Sequence, residues 1–393
     1  MAKLTVKDVD LKGKRVLVRC DFNVPQDTDL NITDDIRIRA SLETINYILS
    51  QNPAKLILIS HLGRPDGKAA AKYSLKPVAQ RLRELLNKEV RMLDDCVGDA
   101  VKSAIGSSKE QIILLENLRF HPEEEANEAN FAKSLAGLAD IFINDAFGTA
   151  HRAHGSTEGV THYLTSVSGL LLEKEIKYLG EALEKPKKPF TVILGGAKVS
   201  DKIGVIDNLL PKADEIIIGG GMCYTFLKAQ GKQIGNSKLE KDKIDLAKAI
   251  LEKAGKMKVK IFLPQDNVVT DKIDGGQVKT VGADIPDGWI GVDIGPKTIR
   301  EYCQTLKKAQ TIVWNGPLGI FERDEFSPGT RQVGELIAGL KAVSIIGGGD
   351  TAAAVAKFGL EGKMSHISTG GGASLEFLEG KTLPGIAALT YKK

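Results

Sequence analysis

The chain has 393 residues, 42% of them hydrophobic and 26% charged, with 54 Lys and Arg against 50 Asp and Glu for a formal charge of +4. That length exceeds one ordinary core and predicts two domains of a little under roughly 200 residues each. The balance of charge argues against a nucleic-acid binder recognised by bulk potential, and no apolar run approaches the roughly 18 residues that a membrane span needs.

The first residues, Met1 to Asp8, carry charges where a signal peptide would be apolar, so the chain is expected in the cytoplasm. The cysteines, Cys20, Cys96, Cys223 and Cys303, lie far apart with no C-x-x-C pair, so neither a disulfide framework nor a zinc site is indicated. Short apolar runs at 16–20, 56–60, 112–115 and 141–143 predict strands, separated by helical stretches. One such helix, 74–86, has Ser74 as its expected N-cap and Leu75, Val78, Leu82, Leu85 and Leu86 on its apolar face. Apolar positions 172, 176, 179 and 183 mark a helix that stops near Pro186 and Pro189, and the domain boundary is placed there. Runs at 192–194, 216–218, 261–263, 312–314 and 343–346 repeat the scheme.

Strand–helix alternation predicts parallel sheets, and continuously apolar strands predict helices on both faces. The expected fold is α/β, two Rossmann-like three-layer α/β/α domains joined by a helical hinge at about 171–186. The first domain spans 1–170 with 380–393 and the second spans 171–379.

In open parallel sheets ligands bind beyond the carboxyl ends of the strands, and the unusual residues of this chain fall there. The first half has Asp21 and Asn23, His61 and Arg64, Arg119, then His151, Arg152 and His154, with Arg37 near a helix start. Singly, each suits a surface ion pair; together, guanidinium forks from separate loops suit a small polyanion, with Asp21 and Asn23 reading a hydroxyl. A metal held by His151 and His154 lacks an obvious carboxylate partner.

In the second half Gly195-Gly196 ends a strand, and Lys198 and Lys202 follow with (i, i+4) spacing, predicting a helix start that aims both ammonium groups one way, toward phosphate. Gly347-Gly348-Gly349-Asp350-Thr351 and Gly370-Gly371-Gly372 are similar junctions. Asp350 suits either a helix N-cap or a ligand for Mg²⁺ beside bound phosphates. The run from Trp314 to Glu322 offers a flat wall followed by a carboxylate for ribose hydroxyls, and Gly219-Gly220-Gly221 offers backbone against which a base could lie. Neither the P-loop sequence nor a G-x-G-x-x-G after a strand of the first sheet occurs.

Taken together and in order, these strings resemble the phosphoglycerate kinase family: Val18-Arg19-Cys20-Asp21-Phe22-Asn23-Val24-Pro25, Ser60-His61-Leu62-Gly63-Arg64-Pro65, Leu115-Glu116-Asn117-Leu118-Arg119-Phe120, His151-Arg152-Ala153-His154, Gly195-Gly196-Ala197-Lys198, Trp314-Asn315-Gly316-Pro317 and Gly347-Gly348-Gly349-Asp350-Thr351. The match runs nearly end to end. The resemblance implies a glycolytic kinase whose first domain binds 3-phosphoglycerate or 1,3-bisphosphoglycerate through Asp21, Asn23, Arg37, His61, Arg64, Arg119 and Arg152. It implies that the second binds MgATP or MgADP through Lys198, Lys202, Gly219, Gly291, Asn315, Glu322, Gly348, Gly349, Asp350 and Thr351, with Asp350 on Mg²⁺. It further implies that residues 383–393 cross back onto the first domain. Arg37, Lys198, Gly348 and Gly371 are then the expected catalytic groups, acting on the transferring phosphoryl. The protein is expected to be a monomer without nucleic-acid or membrane partners. A non-enzymatic anion-binding protein is the rival reading, and a dehydrogenase is disfavoured by the absent dinucleotide fingerprint.

Overall fold

The structure, a computed structural model, describes residues 3–392; Met1, Ala2 and Lys393, the ends of two expectations above, lie outside the described residues. The chain divides into two compact units, Met1–Lys177 with Thr382–Lys393, and Tyr178–Lys381. The division falls inside the helix Leu170–Glu184 rather than before it.

In the first unit, β1 (Arg15–Arg19), β2 (Lys55–Ile59), β3 (Val90–Met92), β4 (Ile112–Leu114), β5 (Ile141–Asn144) and β6 (Ser166–Ser168) form a six-stranded sheet in the order β3-β4-β2-β1-β5-β6. Every pairing in it is parallel. Alternate residues of each strand enter different cores: Val16, Val18, Leu56 and Leu58 pack on one face, Leu17, Ile57, Ile59 and Phe142 on the other. Both faces are therefore covered, which is why the middles of β1 and β2 are continuously apolar, and each side chain so buried contributes roughly 1.5–3 kcal/mol.

The second unit repeats the plan. β7 (Phe190–Leu194), β8 (Glu215–Ile218), β9 (Lys260–Phe262), β13 (Thr311–Asn315), β14 (Val343–Gly347) and β15 (His366–Ile367) form a parallel sheet ordered β15-β14-β13-β7-β8-β9. A separate antiparallel sheet of β10 (Asp266–Thr270), β11 (Val278–Gly282) and β12 (Ile290–Ile294), ordered β11-β10-β12, was not expected from the chain. Its outer strand β11 is mostly exposed and has no continuous apolar run, so periodicity does not mark it.

Two local expectations change. The helix Lys76–Leu86 has Leu75, not Ser74, at its N-cap, and no side chain caps it in the usual way. Buried Glu116 accepts the Ser74 hydroxyl at 2.7 Å and the Leu75 N–H at 2.8 Å, while the Ser74 oxygen still accepts the Lys76 N–H at 3.3 Å. The C-terminal segment packs on the first unit: Leu4 N–H bonds the Thr390 carbonyl, Thr390 N–H the Ser166 carbonyl, and Gly385 N–H the Ala150 carbonyl.

Asp145, just past β5, is fully buried and its Oδ1 accepts the N–H groups of Leu171 (3.0 Å) and Leu172 (3.2 Å) at the start of the Leu170–Glu184 helix. Burial nevertheless lifts its pKa from 3.8 to about 7, against the opposing hydrogen bonds from Thr44, Leu172 and Leu171. The native state then holds a proton that the unfolded state releases near pH 3.8, so the associated stability is present below that pH and is lost as pH rises toward about 7. Asp145→Asn keeps an oxygen for the two N–H groups and has nothing to ionise. Between pH 4 and 7 the urea midpoint of this variant is expected to gain steadily on that of the parent as pH rises, since Asp293, also lifted to about 7 by burial, and the depressed His61 and His154 are common to both; a constant difference would refute the assignment.

Candidate active site

The strand ends of the first sheet are organised around a guanidinium that the sequence reading did not select. Arg19, the last residue of β1, is 0% exposed. Its Nε donates to the Ser156 hydroxyl at 2.9 Å, one terminal nitrogen donates to the Cys20 carbonyl, and the other to His61 Nδ1 at 3.2 Å. Ser156 in turn gives its hydroxyl (2.6 Å) and its N–H (2.8 Å) to the two oxygens of Glu124, also 0% exposed. A buried cation needs such partners, since stranding it away from water costs several kcal/mol. Burial pushes the Glu124 carboxyl up, and the facing Arg19 and the Ser156 bonds pull it back. The visible signal in the chain was an arginine closing an apolar strand; Glu124 and Ser156 left none.

His61 reports what converges here. Its pKa lies well below the ordinary value, first because the ring is buried and then because Arg19, Arg119 and Arg37 stand around it, with His154 adding to the same field. His154 is pushed down to about 4 by burial and by Arg119, Arg19 and Arg152. A carboxylate does stand near it, Glu124 Oε1 at 3.9 Å from Nδ1, which the sequence reading had not foreseen. Both rings are held neutral at pH 7 by surrounding positive charge.

Of the expected substrate residues, Arg37 lies at the start of the helix Ile36–Ser50 and bonds Asp21 Oδ2 at 2.8 Å. Asp21 also accepts the Asn23 N–H, Asn23 Oδ1 accepts the Gly63 N–H at 2.8 Å, and Arg119 donates to the Gly63 carbonyl at 2.9 Å while its Nε pairs with Glu125. Arg37, Asp21, Asn23 and Arg119 are thus linked through Gly63, and His61 feels the field of both arginines. Arg152 is half-buried and joins them through the field felt at Arg119 and His154, whereas Arg64 is exposed.

In the second unit the glycine–lysine junction differs from expectation. After β7 no helix starts at Gly195-Gly196; Lys198 lies in a bend, followed by a 3-10 turn Ser200–Lys202 and then the helix Ile203–Leu209. The two lysines therefore do not share one helical face. Glu240 holds this turn, its carboxylate taking the Val199 N–H (2.5 Å), the Ser200 N–H (3.2 Å) and the Ser200 hydroxyl (2.6 Å). Lys198 is exposed, while Lys202 is half-buried; burial lowers its pKa, and the carboxylates of Asp201, Asp350 and Glu379 oppose that.

The glycines here serve backbone packing. A Cβ on Gly195 would stand 2.1 Å from the Pro317 carbonyl oxygen, and one on Gly316, at φ +102°, would stand 2.2 Å from that of Gly195. A Cβ on Gly219 would meet the Leu318 side chain and one on Gly291 the Tyr224 ring, so both positions need glycine for close packing. Trp314 is likewise a core side chain, its indole N–H on the Gly316 carbonyl, and offers no wall to a ligand. Thr351 is buried and accepts the Gly316 N–H at 2.6 Å. Asn315, 1% exposed, has both amide atoms unpartnered and lies 3.2 Å from where a Cβ on Gly347 or Gly348 would be. Gly348, at φ +88°, is the N-cap of the helix Gly349–Lys357. Asp350 is therefore in the first turn, exposed and making no capping bond, which removes the N-cap reading. Gly371, at φ +49°, opens the short helix Gly372–Leu378, and Glu322 is exposed.

A family model described as Phosphoglycerate kinase matches residues 6–381. The chain is 55% identical over 395 residues to "Phosphoglycerate kinase" of Pelotomaculum thermopropionicum and 55% identical over 396 residues to that of Moorella thermoacetica, with 100% of both chains covered in each case. Among solved structures it resembles phosphoglycerate kinase from Coxiella burnetii (TM-score 0.91, 43% identity) and that from Pyrococcus horikoshii (TM-score 0.84, 33% identity), covering 98% of each chain.

Arg19→Met leaves Glu124 and Ser156 without their cation in a dry site and is expected to lower stability by on the order of 3 kcal/mol. Adding Glu124→Gln removes the stranded charge and should recover part of that loss. Denaturant titration of the two single variants and the double variant checks this; strictly additive losses would show that the two charges do not interact.

Proposed function

The chain belongs to the phosphoglycerate kinase family, and from that premise we propose how its own residues carry the reaction. The reaction is reversible transfer of a phosphoryl group between the acyl phosphate of 1,3-bisphosphoglycerate and ADP, giving 3-phosphoglycerate and ATP. The observation that carries our assignment is the neutral, buried His61 ringed by Arg19, Arg37 and Arg119. Such a cluster suits a small, multiply charged phosphoglycerate. Asp21, Asn23, Arg37, His61, Arg64, Arg119 and Arg152 bind it, the Asp21–Arg37 pair placing Arg37 where its remaining nitrogens face the acyl phosphate.

In the second unit Lys198 meets the transferring group, Lys202 the nucleotide phosphates, and the N–H groups beside Gly348 and Gly371 the phosphoryl oxygens as charge shifts. Gly219, Gly291, Asn315, Glu322, Gly349 and Thr351 complete the nucleotide site; Asn315 and Glu322 contact it by side chain, and the buried Thr351 acts by holding the Gly316 turn. Mg²⁺ fits the donor set at Asp350, a hard oxygen ligand left out of helix capping and close enough to Lys202 to perturb it. When bound, Mg²⁺ neutralises charge on the nucleotide phosphates.

Because the acceptor is a carboxylate, already ionised at pH 7, no general base is required and catalysis rests on positioning and on charge. Acceptor and donor bind to different units, so turnover requires a closed state that also shields the acyl phosphate from water. A cytoplasmic monomer without nucleic-acid or membrane partners belongs to the same reading. It is supported by the balanced charge, by the absence among the described residues of a helix able to cross a membrane, and by the scattering of exposed large apolar side chains such as Ile36, Tyr163 and Met257.

A coupled assay for ATP formation from ADP and 1,3-bisphosphoglycerate tests the activity, and binding of both ligands without turnover would leave an anion-binding protein instead. Arg37→Ala is expected to lower kcat by roughly a hundredfold or more while leaving MgADP affinity nearly unchanged. Lys198→Ala is expected to do the same, and the double variant to lose less than the product of the two. An unchanged kcat in either single variant removes that residue from the phosphoryl site.

A further inference from the structure

Away from the residues assigned to phosphoglycerate, the loops after β3 and β4 bring together three side chains of metal-binding type. Asp95 and Cys96 follow β3, and His121 follows the turn Leu118–Phe120 beyond β4. A carboxylate oxygen of Asp95, Sγ of Cys96 and a ring nitrogen of His121 all lie within 4.8 Å of one another. Cys96 is buried, His121 partly buried and Asp95 exposed, so one side of the group faces water.

The three are already oriented. Asp95 Oδ1 accepts the Cys96 N–H at 2.7 Å and stands 2.6 Å from His121 Nε2, so one carboxylate oxygen holds both neighbours. The imidazole is steadied on its other side by Phe131, ring centroids 5.5 Å apart and planes tilted by 37°. The two loops are tied by the Leu93 N–H on the Leu114 carbonyl and the Glu116 N–H on the Asp95 carbonyl. The backbone supporting the ligands thus belongs to the sheet edge rather than to a free loop.

We propose that Asp95, Cys96 and His121 form a binding site for a borderline-soft divalent cation of the zinc type, distinct from any Mg²⁺ taken up with nucleotide. A sulfur, an imidazole nitrogen and one carboxylate oxygen form the donor set of such ions, whereas Mg²⁺ prefers oxygen alone. With Zn–S about 2.3 Å and Zn–N about 2.0 Å, tetrahedral ligands sit roughly 3.5 Å apart, so on binding the widest separation closes by about an ångström while the 2.6 Å Asp95–His121 contact opens. Asp95 moves from bridging its neighbours to sharing the ion with them, Cys96 releases its thiol proton to solvent, and water takes the fourth position on the exposed side. No C-x-x-C pair marks this site in the chain; 24 residues separate Cys96 from His121, and the parallel pairing of β3 with β4 brings their loops together.

Cobalt(II) titration of the full chain tests this, because a cobalt–thiolate bond gives a near-ultraviolet charge-transfer band. One cobalt per chain is expected, with the band absent from Cys96→Ser and displaced by Zn²⁺ but not by excess Mg²⁺. His121→Ala, at a partly exposed position, should keep its fold and weaken zinc affinity at least the roughly tenfold that loss of even an outer-sphere partner costs. The proposal is overturned if the parent shows no thiolate band, if the band survives Cys96→Ser and vanishes in Cys303→Ser, if Mg²⁺ removes it, or if His121→Ala binds zinc as tightly as the parent. Circular dichroism of each variant separates loss of the site from loss of the fold.

Discussion

The first unit is built around the need to satisfy a guanidinium with no access to water. Arg19 ends a strand that is otherwise apolar, and once β1 is central in its sheet that side chain has nowhere to go but the carboxyl edge beneath the loops. Its partners come from three further segments: Cys20 beside it, His61 after β2, and Ser156 with Glu124 behind. The loops so held also carry residues proposed to bind phosphoglycerate. Asp21 and Asn23 follow Arg19 directly, Gly63 and Arg64 follow His61, and Glu124 sits one turn beyond Arg119. A single desolvated charge therefore sets the relative positions of loops that would otherwise be independent.

The second unit solves a similar problem with backbone. Its loops after β7, β8 and β13 approach so closely that carbonyl oxygens occupy the places where side chains would begin at Gly195, Gly220 and Gly316. Only a residue without Cβ permits that approach, and the hydrogen bonds it allows, Gly195 N–H to Asn315 and Gly196 N–H to Pro317, lock the three strand ends together. The glycine runs here keep donors and acceptors rigidly paired within the protein, which leaves fewer of them for ligand than their number suggests.

This explains what was legible in the chain and what was not. Parallel sheets followed from runs such as 56–59 within 56–60 and 192–194, because both faces of those strands are buried and these positions are apolar. Short edge strands escaped: Ser166–Ser168 has only one apolar residue, and the antiparallel sheet around β11 is exposed. The arginines proposed for phosphoglycerate were visible as charges at successive strand ends. Glu116, Glu124 and Glu240 were invisible because carboxylates capture backbone N–H groups across long sequence distances, and each changed a local expectation: a misplaced N-cap, an unforeseen neighbour for His154, and a lysine pair that does not share a helix. Trp314 misled for a related reason, since a large aromatic at a strand end fills a core as readily as it walls a pocket.

The field in the first unit also bears on the choice of acceptor. Burial first, and the surrounding guanidinium groups after it, bring His154 down to about 4, so it no longer takes up a proton near neutrality. His61 is driven in the same direction by the same neighbours. A kinase whose acceptor is an alcohol needs a group that accepts a proton near pH 7, and this arrangement removes imidazole from that role. A carboxylate acceptor makes no such demand, because it arrives deprotonated and is drawn in by the charges that disable the histidines. Burial and cation density together remove a histidine base, which is compatible with transfer to a carboxyl oxygen.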